Sequence, residues 1–280
     1  MRLRVGARFT LRSPQPTPGV FVIRPLLRGP ERLISEHWES APDTPFHDYT
    51  DVYANVCRRL TLPEGEYDLT YEAIVETPDQ LDPYAPDANE CMVADLPDDV
   101  LVYTLPSRYC LSDVLFPQAQ ELFGGLTPGW GRVQAICDFA NGHLAFGYGS
   151  STPTTTAADV FESGRGVCRD YAHLAITFCR ALNIPARYAF GYLPDIDGPP
   201  PYAPMDFCAW FEAYLDDRWY MFDPRNNARR RGRVTIARGR DALDVAMLTT
   251  YGASQLETMI VVAEEADTAN AMETDVRAFV

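Results

Sequence analysis

Over the first hundred residues, apolar and polar positions alternate in short runs at 2–11, 20–27, 51–62 and 67–76, and turns rich in Pro, Gly and Asp at 13–19, 28–30 and 63–66 separate them. A two-residue period belongs to strands with one buried face, and short strands at this spacing predict an antiparallel β-sandwich. A loop rich in Pro and Asp follows at 77–99, the composition expected where a domain ends. The predicted organisation is an N-terminal β-sandwich domain over 1–105 and a second domain over 106–280, α+β in class.

The period changes in the second half. Helical spacing begins at Ser112–Asp113, a candidate N-cap, and a second helix is expected over 131–141. A loop holding Gly147, Tyr148 and Gly149 leads through 157–163 to a glycine-containing run, Gly164–Arg165–Gly166–Val167–Cys168–Arg169–Asp170, that opens a helix running to about Leu182. Ala172, Ala175, Ile176 and Cys179 mark a narrow face of small residues on it, suited to a central buried helix, and Pro185 stops it. Strand-like runs follow at 186–193, 207–215 and 218–222, the last two flanking Asp216–Asp217 as a hairpin. A basic segment at 225–240, an apolar strand at 258–263 and a polar tail complete the chain.

Composition narrows the function classes. With 280 residues, 46% hydrophobic and 22% charged, the chain can bury a large core, and a net charge of −15 opposes broad contact with nucleic acid or anionic lipid. No apolar run is long enough to span a membrane, and the opening MRLRVGARFT alternates where a signal peptide would be continuously apolar, so the expected location is cytoplasmic. All 24 basic residues are arginine. That excludes a Schiff-base lysine, a P-loop lysine and self-crosslinking through lysine. The seven cysteines are dispersed without CxxC pairs, as reduced thiols are.

Cys168 follows a glycine turn at the start of a helix, where free N–H groups and the helix dipole favour a thiolate and could receive an oxyanion. The alternative is an inert thiol buried at a helix start. The runs GRGVCRDYAHLAITFCRALNIPARYAFGYLPD at 164–195 and MDFCAWFEAYLDDRWYMFDPRNN at 205–227 resemble the transglutaminase-like superfamily, in particular its bacterial members of the cysteine-protease type. The likeness extends to the N-terminal β-domain, to LPSRYC at 105–110 and to RGRDALDVA at 238–246.

The resemblance implies a papain-like core, in which a helix carrying a nucleophilic cysteine packs on an antiparallel sheet carrying a histidine and an aspartate. Carried over by motif, Cys168 is the nucleophile and Asp223 the orienting acid. The motif's histidine falls on Cys208 in Asp206–Phe207–Cys208–Ala209–Trp210. A thiol, with an ordinary pKa of about 8.5, never becomes the cation that imidazole supplies, and two adjacent thiolates repel, so one should remain protonated. If Leu215 pairs with Arg218, residue 208 opposes 225 with Asp223 diagonally adjacent, which puts Cys208 at the site without a register shift.

Of the other histidines, only His143 stays open as a substitute, because its place relative to the site cannot be read from the sequence. His173 falls about 140° around the helix from Cys168, His143 ends the preceding helix, and His37 and His47 belong to the β-domain. Asp170 and Arg169 read as a favourable charge and a paired or solvated group. Trp210 and Tyr148 are the candidates for substrate contact, although strand aromatics are more often core, and the proline-rich run at 199–204 is a candidate rim. The arginines at 225–240 read either as a ligand surface or as a face that offsets nearby acids. A zinc site from Cys168, Cys208 and Asp223 lacks a fourth ligand, so no metal and no cofactor are expected, while a Cys168–Cys208 disulfide is a further alternative.

The expected function is a cysteine enzyme that forms an acyl-thioester at Cys168 from a small-molecule, peptide or carrier-bound substrate, with Cys208 and Asp223 in place of a His–Asp pair. The alternatives are a catalytically retired binding or scaffold protein and a His-to-Cys variant of an ordinary Cys-His-Asp amidase.

Overall fold

The computed structural model describes residues 1–196 and 205–266. The proline-rich run at 199–204 and the polar tail from 267 lie outside them. In the N-terminal half, β1 (Arg2–Ser13), β2 (Thr17–Phe21), β3 (Arg32–Ala41), β4 (Phe46–Thr50), β5 (Val56–Leu62) and β6 (Gly65–Glu76) contribute to two antiparallel sheets. Alternation is cleanest in β6, where Tyr67, Leu69, Tyr71, Ala73 and Val75 are all buried and the residues between them are not. Phe9 of β1 meets Phe21 of β2 edge-on across the sandwich, with ring centroids 5.6 Å apart. The sequence pattern does not mark β3 and β4, because they are outer strands whose residues are mostly exposed, leaving few apolar positions to set a period.

The second half contains α1 (Phe116–Phe123), α2 (Trp130–His143), the two-residue strands β7 (Ala145–Phe146) and β8 (Arg165–Gly166), α3 (Ala157–Ser163), α4 (Cys168–Ala181), β9 (Ala186–Tyr192), β10 (Cys208–Leu215), β11 (Arg218–Phe222) and β12 (Val234–Gly239). The four longer strands form one antiparallel sheet in the order β11-β10-β9-β12. From Asp170 onward every residue of α4 is buried, with α1, α2 and α3 packed around it and β9 and β10 beneath. The small-residue face lets the helix backbone sit close to the sheet. β9 in turn admits β12 at Gly191, where a Cβ would lie 2.1 Å from the Val234 carbonyl oxygen. The Asp216–Asp217 turn has φ of 43° and 60° and pairs Leu215 with Arg218, the register expected of a two-residue hairpin.

The chain then returns to its beginning. β13 (Leu248–Thr250) pairs with β2 and β14 (Gln255–Glu265) pairs with β1, completing both sandwich sheets at four strands. A cut at 105/106 therefore assigns to the second unit two strands that hydrogen-bond within the first. The halves are also pinned where they meet. Leu26 N–H donates to the Thr235 carbonyl at 2.7 Å, Tyr192 hydroxyl to Ile23 at 2.9 Å, and Asn55 exchanges hydrogen bonds with the Arg238 backbone.

Candidate active site

Cys168 is the first residue of α4. The turn before it is shaped by Asp170, whose carboxylate accepts the Val167 N–H at 2.8 Å and caps the helix start. Gly166 makes room for this cap, since a Cβ there would lie 2.7 Å from the Asp170 Cβ. Asp170 is fully buried and pairs with Arg169, which also reaches Ser151 and the Thr152 carbonyl. These two residues lock the Cys168 turn to the preceding loop instead of standing as a surface charge pair.

On β10 and the residue before it, Phe207, Ala209, Phe211, Ala213 and Leu215 join the main core with α4, while Cys208 and Trp210 cluster with Ala189 and Leu193 on the opposite face. Cys168 meets the leading edge of this strand, where its thiol donates to the Phe207 carbonyl at 3.8 Å. Cys168 and Cys208 both open onto one cleft, of ≈ 170 Å³, which is also lined by Phe146, Tyr148, Asp206 and Arg225. All seven cysteines are free thiols, including this pair. Among the described residues no three His, Cys, Asp or Glu side chains converge on a metal position.

Burial pushes the Cys168 thiol up to about 11, against the backbone N–H of Ala209, Arg225 and the N–H of Arg169, which favour the thiolate. Cys208 is held well above the ordinary thiol range, by burial first and then by Asp223 and Cys168. Both thiols are therefore protonated at neutral pH. This exceeds the expectation that one of the two stays protonated, because the helix start lies under cover and not at an open surface.

Asp223 follows β11 and lies close enough to Cys208 to raise its pKa, yet its oxygens are bonded elsewhere. Oδ1 accepts the Asn226 N–H at 3.0 Å, and Oδ2 accepts the Asn226 side-chain amide at 2.8 Å and Arg233 Nη2 at 3.1 Å. Arg233, with a side chain only 2% exposed, also pairs with Asp82 at 3.2 Å and lies over the Trp210 ring, 4.5 Å from its centroid. Sequence reasoning missed Arg233 and Asp82. The only available signal was the basic segment itself, which does not say which arginine turns inward.

Tyr148 lines the cleft and is 65% exposed. Trp210 is fully buried beneath Arg233 and does not line the cleft, so its ring presents no surface to a substrate there. The histidines lie away from the cleft. His173 is buried against Tyr109, accepts the Ala242 N–H at Nε2 (3.1 Å), and is kept neutral by burial, which lowers its pKa well below the ordinary value. His143 stacks on Phe139 and Phe161 and bonds the Phe161 carbonyl at 2.7 Å. His37 and His47 sit on β3 and β4 of the sandwich.

A cysteine at the start of a buried helix, against the edge of an antiparallel sheet and with a carboxylate after the next strand, defines a cysteine-enzyme fold. The chain belongs to the transglutaminase-like superfamily. The model of that superfamily matches residues 118–224. The crystal structure of "a Putative Cysteine Protease from Cytophaga hutchinsonii" is 31% identical, with a TM-score of 0.86, over 96% of this chain and 91% of that one. "Uncharacterized protein ML0607" of Mycobacterium leprae is 26% identical over 82% of this chain and 86% of its own length. "Uncharacterized protein Rv2569c" of Mycobacterium tuberculosis is 34% identical over 36% of this chain and 35% of its own length. No helix among the described residues is long and apolar enough to cross a membrane.

Proposed function

We propose that the protein is a transglutaminase-like cysteine acyltransferase or hydrolase that takes an acyl group onto Cys168 and passes it to water or an amine, from donors whose leaving group departs without help from an imidazolium. The reading is carried by one observation: Cys168 stands at the start of α4 and lines a cleft, where the backbone N–H groups of Ala209 and Arg169 favour its thiolate. Cys168 first gives its proton to solvent, and the minor thiolate fraction then attacks the acyl carbon while the carbonyl electrons move to oxygen, where N–H donors at the helix start receive the oxyanion. Collapse expels the leaving group and leaves a thioester on Cys168, which water or an amine then opens.

Cys208 stands where the resemblance expects histidine, and Asp223 where it expects the orienting acid. A thiolate leaving group, with a pKa of about 8.5, departs as an anion, whereas an amine must be protonated as it leaves. Activated donors such as small-molecule or carrier-bound thioesters therefore suit this site better than peptide amides. The likeness to the "Putative Cysteine Protease from Cytophaga hutchinsonii" supports a cysteine nucleophile. Turnover of a simple acyl-thioester should exceed that of the matching amide by at least about a hundredfold and should vanish in Cys168→Ala. Amide turnover equal to thioester turnover and indifferent to Cys208→Ala would overturn the reading, and no acyl transfer at all would favour a retired scaffold.

A further inference from the structure

The basic segment at 225–240 divides into two uses. Arg230 pairs with Asp195, Arg233 with Asp82 and Asp223, Arg238 with Glu212 and Arg240 with Asp244. Those guanidinium groups offset acids of the same chain. Arg225 and Arg229 pair with no carboxylate among the described residues, and of the two only Arg225 lines the Cys168 cleft. Arg225 donates to its neighbour Asn226 Oδ1 at 3.1 Å, and lies over the Phe146 ring, 4.3 Å from its centroid.

Its place is also fixed from behind. The carbonyls of Pro224 and Arg225 accept both hydrogen bonds of the Asn141 amide, at 3.0 and 2.8 Å, and the Asn226 and Asn227 N–H groups bond back to Asp223. The stacked guanidinium thus sits on a pinned turn, so little freedom is lost when an anion meets it. Among the described residues no carboxylate of the cleft forms an ion pair with it, although Arg225 lies near enough to Asp206 to favour its ionised form. Asp206 Oδ1 accepts the Phe207 N–H at 2.7 Å, and Asp195 Oδ1 takes Arg230 at 3.3 Å.

We propose that Arg225 is a carboxylate-recognition residue, and that the acyl donors of Cys168 carry a free carboxylate close to the reacting carbonyl. The proposal rests on the acyl-transfer reading of the same cleft and names its substrate class. A guanidinium offers a planar fork that matches a carboxylate, and the cleft is small enough to hold a short acidic acyl group against it.

Two near-isosteric reagents test it on the full chain. Iodoacetate and iodoacetamide both alkylate a thiolate at carbon with loss of iodide, and only the first carries a carboxylate. Rates at Cys168 are read by mass spectrometry, and their ratio is compared with that of a neutral model thiol, N-acetylcysteine amide. Any change in thiolate fraction affects both reagents alike and cancels in the ratio. The iodoacetate preference at Cys168 is expected to exceed that of the model thiol about tenfold, to disappear in Arg225→Gln, and to survive in part in Arg225→Lys.

Equal ratios in the wild-type protein and Arg225→Gln, with Cys168 still reactive, overturn the proposal and leave the acyl-transfer reading standing. If neither reagent labels Cys168 up to pH 10, the acyl-transfer reading fails instead. Calorimetric titration with glutarate then decides the anion site, because binding lost in Arg225→Gln supports it and equal heats in both proteins overturn it.

Discussion

On one face of β10, Glu212 and Cys208 lie with Trp210 between them. At the Glu212 end a fully buried carboxylate accepts Arg187 Nε at 2.6 Å and Arg238 Nε at 2.9 Å, and both its oxygens are matched. At the Cys208 end the polar groups do not close among themselves. Among the described residues Trp210 Nε1 and Arg233 Nη1 are buried without a hydrogen-bond partner, and two thiols sit protonated beside the cleft. A strand buried on both faces can carry charge at no loss of order where the network is complete. At the incomplete end Cys168 and Cys208 line the cleft, while Trp210 and Arg233 lie buried away from it.

Breaking the closed end should have the largest effect. Burial alone would raise the Glu212 pKa, but Arg238 and Arg187 together overcome it and hold the carboxyl below its ordinary range. A depressed carboxyl contributes stability that is present above its unfolded pKa and lost as pH falls through the folded one. Wild-type stability should therefore decline below about pH 4.3 through this group. Glu212→Ala leaves Arg187 and Arg238 buried without their counter-charge and should cost about 3–5 kcal/mol in urea denaturation at pH 7. A loss under about 1 kcal/mol would show that water already screens this end.

The open end is sharpened by supplying the group it lacks. Cys208→His places an imidazole beside Cys168, and an imidazolium favours the thiolate that burial now opposes. The rate of Cys168 alkylation by iodoacetamide at pH 7 should rise about a hundredfold, with the midpoint of its pH profile falling from about 11. An unchanged profile would mean that Cys208 does not govern the nucleophile. The wild-type thiol has the opposite linkage to Glu212. Its raised pKa contributes stability that is complete below the unfolded value near 9.0 and fades as pH climbs toward about 11.

The contrast between the two ends also explains how far the sequence could be read. Cys168, the buried helix behind it and the Asp216–Asp217 hairpin are written in local signals: a glycine turn, small residues at helical spacing, and two residues able to take positive φ between alternating runs. Those signals place Cys208 and Asp223 at one end of the sheet. The partners that decide the chemistry there come from far along the chain and leave no period. Asp82 lies in the loop expected to be a domain boundary, yet it holds Arg233 at the site. β14 closes the first sheet from the far end of the chain, a pairing that no local pattern encodes. Trp210 follows the same logic: alternation assigns it a face, but only the tertiary structure shows that Arg233 covers that face and keeps the ring from substrate.

Trp210 also offers the finest comparison of the two ends, because its ring and its N–H make separate contributions. The ring is fully buried under Arg233, so removing it would open a cavity and lose the cation–π contact. Among the described residues the N–H has no partner, so removing it alone should cost little. Trp210→Phe keeps an aromatic face beneath Arg233 and deletes the donor, and should change stability by only about 1 kcal/mol, mostly from lost volume. Glu212 at the other end has no such tolerance, since every hydrogen bond it loses strands a buried arginine. A cost above about 3 kcal/mol for Trp210→Phe, measured in the same urea titration, would mean that the indole N–H is satisfied in solution. The two ends of β10 would then be equally closed, and the open character of the Cys208 end would rest on the cleft thiols alone.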